Sequence, residues 1–285
     1  MNTPTIAPKY KRRLQPHLAL TKMPFRKNMA AADMFDSRSQ REVIAGLQMW
    51  TELGGIALIV GPSGVGKSIT MRRFLRDLDD SRFCVLKLSH LPTTPTGLLR
   101  SLSRLLGLPL RNHPADLFDQ AQAYLASYQQ DHGPHPLLVI DDIEGLGVPS
   151  FDLIRRLTAY DLDAADNFSI LIAGTEDMLP TLQHHTLEPL RGRIAYAQPL
   201  RPFSLEDTRN YIRFHLQRVD ADLKLFSDPA IKRMFQATRG KPRIINLLCL
   251  YLMIQAAIAG IDTVDGDFAA AQIAAHPFFQ HHPEA

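Results

Sequence analysis

The stretch that most constrains the fold of this chain is GPSGVGKS, at residues 61–68. It follows the apolar run IALIV, precedes ITMRRFL, and completes the pattern G-x-x-x-x-G-K-[ST]. In this pattern the glycines let backbone N–H groups turn toward phosphate, the lysine reaches the β and γ phosphates, and the final hydroxyl binds Mg²⁺ at a helix N-terminus. A glycine turn that binds nothing would not explain Lys67 beside the glycines. The stretch therefore predicts a strand, a phosphate-binding loop and a helix.

Two acidic residues supply the predicted second half of this site. Asp141 and Asp142 end the apolar run PLLVIDD, where one carboxylate can hold Mg²⁺ together with Ser68 and the other can orient water. Adjacent acids are a weak signal alone, because Asp is common in turns, but after a phosphate loop they predict a site for ATP and Mg²⁺. The residues predicted to contact the nucleotide are Gly61, Pro62, Ser63, Gly64, Val65, Gly66, Lys67, Ser68 and Ile69.

Further apolar runs predict the rest of a sheet. RFCVLKL at 82–88, PLLVIDD at 136–142, FSILIAGT at 168–175 and the weaker RIAYAQPL at 193–200 read as buried strands between helical patterns. Alternating strands and helices predict an α/β fold with a five-stranded parallel sheet flanked by helices, whose ligand lies at the carboxyl ends of the strands.

Strand signals stop near residue 201, and the remaining sequence is helical in pattern. Ser204 and Asp207 have the spacing of a capping box at the start of the first of these helices. The predicted divisions are a basic N-terminal arm at 1–30, an α/β nucleotide-binding domain at 31–200, a small all-helical lid domain at 201–275 and a flexible tail at 276–285.

Two groups of basic residues are candidates for contacts with DNA. The net charge is only +3, but the N-terminal segment carries several lysines and arginines before its first acidic residue. This pattern predicts a basic arm, with Lys11, Arg12 and Arg13 as DNA contacts. Arg100 and Arg104, four residues apart on a predicted helix, are expected to add phosphate contacts that read little sequence. A solvated helix face is the alternative for this second pair.

No signal peptide and no membrane span are predicted. The charged N-terminus lacks the apolar stretch that a signal peptide requires. The longest apolar run, at 244–260, contains Asn246 and Gln255 and is short for a bilayer span. We therefore expect this run to form a buried helix in a cytoplasmic protein.

Four more residues are candidates by position. Thr175 ends a predicted strand, where its hydroxyl could reach the γ-phosphate or the attacking water, with a helix cap as the alternative. Arg191 and Arg193 precede the last strand, and Arg243 begins a helix. A guanidinium suits phosphate because its charge is fixed and its fork is planar, although a lone arginine can equally be solvated or sit in a salt bridge at the rim.

In this order along the chain, the motifs resemble those of AAA+ ATPases. The closer resemblance is to the ExeA-like branch, which includes transposon-carried ATPases, with the TnsC, TniB and phage Mu B proteins as functional relatives. The stretches that carry it, over most of residues 23–260, are MPF, GPSGVGKS, VIDDIEGL, DLIRRLTAYD, ILIAGTEDMLPTLQ, LRGRIAYAQPLRPFSLEDTRNYIRFHLQR and LFSDPAIKRMFQATRGKPRIINLLC.

The resemblance also assigns roles to single residues. Many ExeA-like proteins have Glu where this chain has Asp142, whose side chain is one methylene shorter, so slow ATP hydrolysis is expected. Glu144 could assist, but it lies along the continuation of the strand. The implied roles are phosphate binding for Lys67 and Ser68, Mg²⁺ binding for Ser68 and Asp141, a first sensor at Thr175, an arginine finger at Arg193 with Arg191 as its rival, and a second sensor at Arg243.

An arginine finger acts on a neighbouring subunit, so the resemblance implies a homo-oligomer, either a ring or a helical filament. The first expectation is a regulator of DNA transposition, which assembles with ATP on double-stranded DNA, recruits a DDE-type transposase with or without a target-selection adaptor, and dissociates after hydrolysis. The alternatives are an ExeA-like secretion or envelope-assembly ATPase and a nucleotide-gated scaffold with little hydrolysis. The secretion alternative would be expected to carry a membrane segment and a cell-wall-binding domain after the ATPase, and neither is recognised in residues 1–285.

Overall fold

The computed structural model describes residues 23–25, 34–88, 91–159 and 167–279. These residues form two compact units. The sheet unit comprises Arg38–Ser63 and Lys67–Arg201. The helical unit comprises the described residues up to Ser37, Gly64–Gly66, and those from Pro202 onward.

A five-stranded parallel sheet forms the centre of the sheet unit. Its strand order is β2-β3-β4-β1-β5, so the prediction of a five-stranded parallel sheet flanked by helices is confirmed. The central strands β1, β3 and β4 are almost entirely buried, as expected for strands covered on both faces. The strands are β1 (Ile56–Val60), β2 (Phe83–Leu88), β3 (His135–Ile140), β4 (Ser169–Gly174) and β5 (Ile194–Pro199).

Helices cover the sheet and bury one apolar face each. In α1, Val43, Leu47 and Trp50 recur at helical spacing and are buried. Gly46 of the same helix has no side chain, and this lets the hydroxyl of Tyr196 on β5 approach closely. The helices of the sheet unit are α1 (Arg38–Trp50), α2 (Lys67–Arg76), α3 (Pro95–Leu105), α4 (Pro114–His132), α5 (Val148–Thr158), α6 (Leu179–Leu182) and α7 (Glu188–Arg191).

The helical unit contains four helices with their own apolar core. The predicted capping box is confirmed, because the Ser204 hydroxyl accepts from the backbone N–H of Asp207 at 3.0 Å and the Asp207 carboxylate accepts from the backbone N–H of Ser204 at 3.2 Å. The last helix was not singled out by the sequence pattern. The four are α8 (Leu205–Gln217), α9 (Asp228–Thr238), α10 (Pro242–Ala259) and α11 (Gly266–Ala275).

Helix α10 contains most of the apolar run at 244–260. By length and composition it is the one helix among the described residues that could cross a membrane, and about one third of it is buried. Its buried face, which includes Ile245, Leu252 and Met253, packs in the core of the helical unit. The predicted localisation remains a prediction.

Both ends of the described chain pack on the helical unit. Phe25 of the segment MPF is 2% exposed, joins this core, and has a positive φ of 58°. Its ring centroid lies 4.8 Å from that of His215. At the other end, Phe279 packs against the same core, whereas Phe278 is 89% exposed. Of the predicted arm at 1–30, the structure describes residues 23–25, and of the predicted tail at 276–285, it describes residues 276–279.

Candidate nucleotide-binding site

Three neighbouring strands bring the candidate site together at one edge of the sheet. Val60 of β1 pairs with Gly174 of β4, and Ile140 of β3 pairs with Ile172 of β4. Because the strands are parallel, the residues that follow them emerge at the same edge. The phosphate loop, the Asp141–Asp142 pair and Thr175 therefore lie at adjacent strand ends; the sequence predicted that each follows a strand but not that these strands are neighbours.

The loop backbone has the shape that the glycines permit. Gly64 and Gly66 have φ values of 79° and 111°, in the region that side chains with a Cβ rarely adopt. Helix α2 begins directly afterwards at Lys67, so its first N–H groups face the loop. Val65 is 1% exposed, which leaves its backbone as the part able to meet a phosphate. Pro62 has no N–H to donate.

Lys67 is held at the mouth of this loop. Its side chain is 6% exposed, and Nζ donates to the carbonyl oxygen of Gly61 at 2.8 Å and to that of Pro62 at 3.4 Å. A buried ammonium requires such acceptors, because desolvation of an unpaired charge is costly. The loop thus holds one positive charge beside backbone donors, an arrangement that suits a polyphosphate.

Ser68 and Asp141 form a hydrogen-bonded pair next to Lys67. Burial raises the pKa of Asp141, while the hydrogen bond with Ser68 opposes that shift. A hydroxyl and a carboxylate oxygen are ligands that Mg²⁺ accepts, and its usual coordination is completed by water and phosphate oxygens. The two residues therefore fit the predicted Mg²⁺ site.

Asp142 lies on a sharp turn beyond β3. It is exposed, has φ 54° and ψ 48°, and its backbone N–H donates to Asp141 Oδ1 at 3.0 Å. Asp tolerates this left-handed conformation better than most residues. The turn places Asp142 beside Asp141, the predicted Mg²⁺ ligand, and the role of Asp142 in orienting water remains a prediction.

Thr175 is buried and has two acidic partners. Its hydroxyl donates to Asp177 Oδ2 at 3.0 Å, and its backbone N–H donates to Glu144 Oε2 at 3.4 Å. It also precedes the short 3₁₀ helix Glu176–Met178, but its side chain makes no hydrogen bond to that backbone. The sequence did not single out Asp177, and it gave Glu144 no contact. The available signal was that an acidic residue shortly follows each of two strands, Glu144 after β3 and Asp177 after β4.

The two candidate finger arginines bind the ends of helices within the sheet unit. Arg193 Nη1 donates to the carbonyl oxygen of Arg155 at 2.8 Å and to Thr158 Oγ1 at 3.3 Å. Arg191 Nη1 donates to the carbonyl oxygens of Leu182 at 2.6 Å and His184 at 3.1 Å. Both guanidiniums therefore act as caps for carbonyl groups, a role that the sequence did not suggest.

Of the remaining predicted residues, Arg243 contacts Gly64 of the phosphate loop, whereas Arg100 and Arg104 lie on α3. Arg243 is exposed near the start of α10, and its backbone N–H donates to the carbonyl oxygen of Gly64, within the helical unit, at 3.2 Å. Arg100 and Arg104 are exposed one turn apart on α3. Lys11, Arg12 and Arg13 lie outside the described residues.

The sequence is similar to a known family and to a curated protein. Residues 51–182 match the family described as AAA domain. The chain is 26% identical over 221 residues to General secretion pathway protein A of Aeromonas hydrophila, covering 76% of this chain and 40% of that protein. It therefore spans about two fifths of the length of that relative.

Solved structures show the same fold. Cdc6p from Pyrobaculum aerophilum has a TM-score of 0.66 at 15% identity, covering 88% of this chain and 70% of that one. The ORC1 protein of Aeropyrum pernix, solved in complex with DNA, has a TM-score of 0.62 at 15% identity, covering 86% of this chain and 66% of that one. With an AAA domain match at residues 51–182 and a phosphate loop between β1 and α2, this chain has the fold of an AAA+ P-loop NTPase.

Proposed function

We propose that the chain binds ATP with Mg²⁺ and hydrolyses it slowly as an AAA+ ATPase. The observation that carries this proposal is the convergence of Lys67, the Ser68–Asp141 pair and Thr175 on the ends of three adjacent strands. The AAA domain match and the fold support ATPase activity in general.

Each side chain has a distinct task in this reaction. Lys67 and the backbone donors of the loop bind the β and γ phosphates, and Ser68 and Asp141 hold Mg²⁺. Mg²⁺, when bound, neutralises charge on the phosphate oxygens. Asp142 orients the attacking water, and the Thr175 hydroxyl contacts that water or the γ-phosphate. The side chain of Asp142 is one methylene shorter than that of Glu and lies on an exposed turn, which supports slow ATP turnover.

The finer proposal is a switch that acts on DNA. ATP-bound subunits assemble on double-stranded DNA, with Arg193 of one subunit acting on the nucleotide of the next, and hydrolysis releases the assembly. Exposed Arg100 and Arg104 bind phosphates together with the basic N-terminal segment. In this role the chain regulates transposition by recruiting a transposase. The shared fold with a protein solved on DNA supports DNA binding, whereas the transposase rests on the motif resemblance alone.

Binding to random-sequence duplex DNA tests this finer proposal. Fluorescence anisotropy in ATP, a slowly hydrolysed analogue, ADP and no nucleotide should show tight binding only with the first two. The Arg100→Ala/Arg104→Ala double variant should lower the slope of log affinity against log salt by about 2, because each phosphate contact contributes about 0.9. Arg38→Ala, which removes an arginine that is 84% exposed on α1, is the matched control and should leave the slope unchanged. Equal DNA affinity of the wild-type protein in all four nucleotide conditions would contradict the proposed switch.

A second candidate function is secretion or envelope assembly, favoured by the match to General secretion pathway protein A. In that case ATP turnover should be stimulated by vesicles of the cell envelope and not by DNA. Turnover stimulated by DNA alone excludes this candidate. If the protein binds ATP but hydrolyses it with neither DNA nor vesicles, the nucleotide-gated scaffold replaces both the DNA switch and the secretion function.

A further inference from the structure

Glu144 links two strand ends of the candidate site. It lies on the short 3₁₀ turn Ile143–Gly145 that follows Asp142, and it is half-buried. Its Oε2 accepts a hydrogen bond from the backbone N–H of Thr175 at 3.4 Å. Thr175 is 31 residues further along the chain, so this contact connects the turn after β3 to the turn after β4.

The two turns are packed tightly around Gly174. A Cβ at this position would lie 2.6 Å from Met178 Sδ and 2.9 Å from Ile143 Cγ2, so only glycine fits without a shift of its neighbours. Ile143 and Met178 are themselves buried. The close approach at Gly174 brings the turn that carries Glu144 within hydrogen-bonding distance of Thr175.

The same segment is tied to the phosphate loop on its other side. The backbone N–H of Gly61 donates to the carbonyl oxygen of Gly174 at 3.2 Å. A path of hydrogen bonds therefore runs from the phosphate loop, through Gly174 and Thr175, to Glu144. Displacing Thr175 would change where its hydroxyl lies relative to the phosphate loop.

Asp142 has no comparable contact with Thr175 among the described hydrogen bonds. It is exposed, and its backbone bonds only to its neighbour Asp141 in those contacts. The two carboxylates after Asp141 thus have different surroundings. One faces solvent next to the Mg²⁺ ligand, and the other holds the backbone of the sensor threonine.

We propose that Glu144 is a positioning residue for ATP hydrolysis. Its carboxylate accepts the Thr175 N–H and fixes the backbone that carries the Thr175 hydroxyl, while Asp177 accepts from that hydroxyl and Asp142 remains the residue that orients water. This inference rests on the proposed function, because it assumes that Thr175 contacts the γ-phosphate or the water.

The test compares two substitutions at the same position. Glu144→Gln keeps an oxygen that can accept the Thr175 N–H, whereas Glu144→Ala removes it. We expect Glu144→Ala to lower kcat about 10-fold or more, since small misplacements at a reacting centre are costly, and Glu144→Gln to stay within about 3-fold of wild type. The ATP dissociation constant should change less than about 2-fold in both, because the phosphate contacts of Lys67 remain. Glu176→Ala, an exposed acid on the next turn, is the matched control and should behave as wild type.

Three outcomes would overturn the inference. Equal loss of kcat in Glu144→Gln and Glu144→Ala would assign Glu144 a role through its charge instead of its hydrogen bond. Parallel loss of ATP affinity and kcat would indicate a structural role. Wild-type kcat in Glu144→Ala would exclude positioning.

Amide exchange at Thr175, measured by NMR without nucleotide, separates this inference from the proposed function. Exchange should be faster in Glu144→Ala than in wild type and restored in Glu144→Gln. Unchanged exchange contradicts the Glu144 contact whether or not the protein hydrolyses ATP. A wild-type protein that binds no ATP contradicts the proposed function, while the exchange result still decides the contact.

Discussion

The ammonium of Lys67 donates a hydrogen bond to the carbonyl oxygen of Gly61 at 2.8 Å, which joins the first residue of α2 to the first residue of the phosphate loop. The contact spans six residues and is buried. It sets the position of the one basic side chain inside the loop, because the acceptor belongs to the loop backbone. The proposed ATP affinity therefore depends on Lys67 more than on any exposed lysine.

Lys67→Ala should lower ATP affinity about 10- to 100-fold, since charge-assisted hydrogen bonds contribute roughly 1.5–3 kcal/mol. Titration with a fluorescent ATP analogue measures the effect. Lys87→Ala, an exposed lysine on β2, is the matched control and should bind as wild type. Equal affinity in Lys67→Ala and wild type would refute the assignment of the loop.

Arg193→Ala should retain ATP binding but lose turnover, if its guanidinium acts on a neighbouring subunit. An equal mixture of Arg193→Ala and Lys67→Ala subunits should then regain about one quarter of wild-type turnover, because that fraction of random interfaces pairs an intact Lys67 with an intact Arg193. Steady-state phosphate release measures the recovery.

The mixture also distinguishes the two arginines. Arg193 donates to the carbonyl oxygen of Arg155, so its removal alone could weaken the end of α5. If the mixture assembles but ATP turnover does not recover, Arg193 acts only by stabilising the end of α5. The same mixture can be made with Arg191→Ala instead of Arg193→Ala. If Arg191→Ala is inactive alone and turnover recovers in the mixture, Arg191 is the arginine finger.

Phe25→Ala should destabilise the helical unit by about 3–5 kcal/mol, the usual cost of truncating a buried aromatic side chain. Phe25 is 2% exposed and belongs to the apolar core of that unit. Chemical denaturation followed by circular dichroism measures the change. Phe278→Ala removes a ring that is 89% exposed and should have almost no effect. Similar losses in the two variants would contradict the packing of Phe25.

Stability should fall as the pH is lowered from about 6.5 toward 4. Burial, with a smaller contribution from the charge of Arg218, lowers the pKa of His215 to about 4, and its buried Nε2 has no hydrogen-bond partner among the described residues. In the unfolded chain the imidazole of His215 becomes protonated near pH 6.5, whereas in the folded protein it becomes protonated only near pH 4. The protein should therefore lose up to about 3 kcal/mol across this window.

Urea denaturation at several pH values measures that loss. His215→Phe removes the titrating group, so its stability should decline less between pH 6.5 and 4 than that of wild type. His185→Asn changes an exposed histidine and should follow the wild-type curve. An equally steep decline in His215→Phe would show that another group controls the pH dependence.

Local patterns were sufficient for the sheet and the phosphate loop. IALIV followed by GPSGVGKS specifies a buried strand, a turn with glycines at positive φ and a helix start, because each depends on neighbours within a few residues. The capping box at Ser204 is equally local. These features could be predicted from the order of the residues alone.

Helix α11 could not be recognised in that way. Its sequence GDFAAAQIAA consists mostly of small residues and lacks a clear apolar period. The helix packs closely on α9, where a Cβ at Gly266 would lie 2.9 Å from Pro229 Cβ. Its burial depends on α9, a helix that is distant in the sequence.

The sequence by itself determined the parallel sheet, the phosphate loop and the types of residue at each strand end. Only the tertiary structure decided which residues meet: Glu144 with Thr175, Arg193 with the end of α5, and Phe25 with His215. The physical reason is that helices and strands are set by local steric preferences and by the spacing of apolar residues along the chain. The partners of a side chain are set by which strands and helices become neighbours. That neighbourhood depends on the packing of the whole unit and is not encoded in any one stretch of residues.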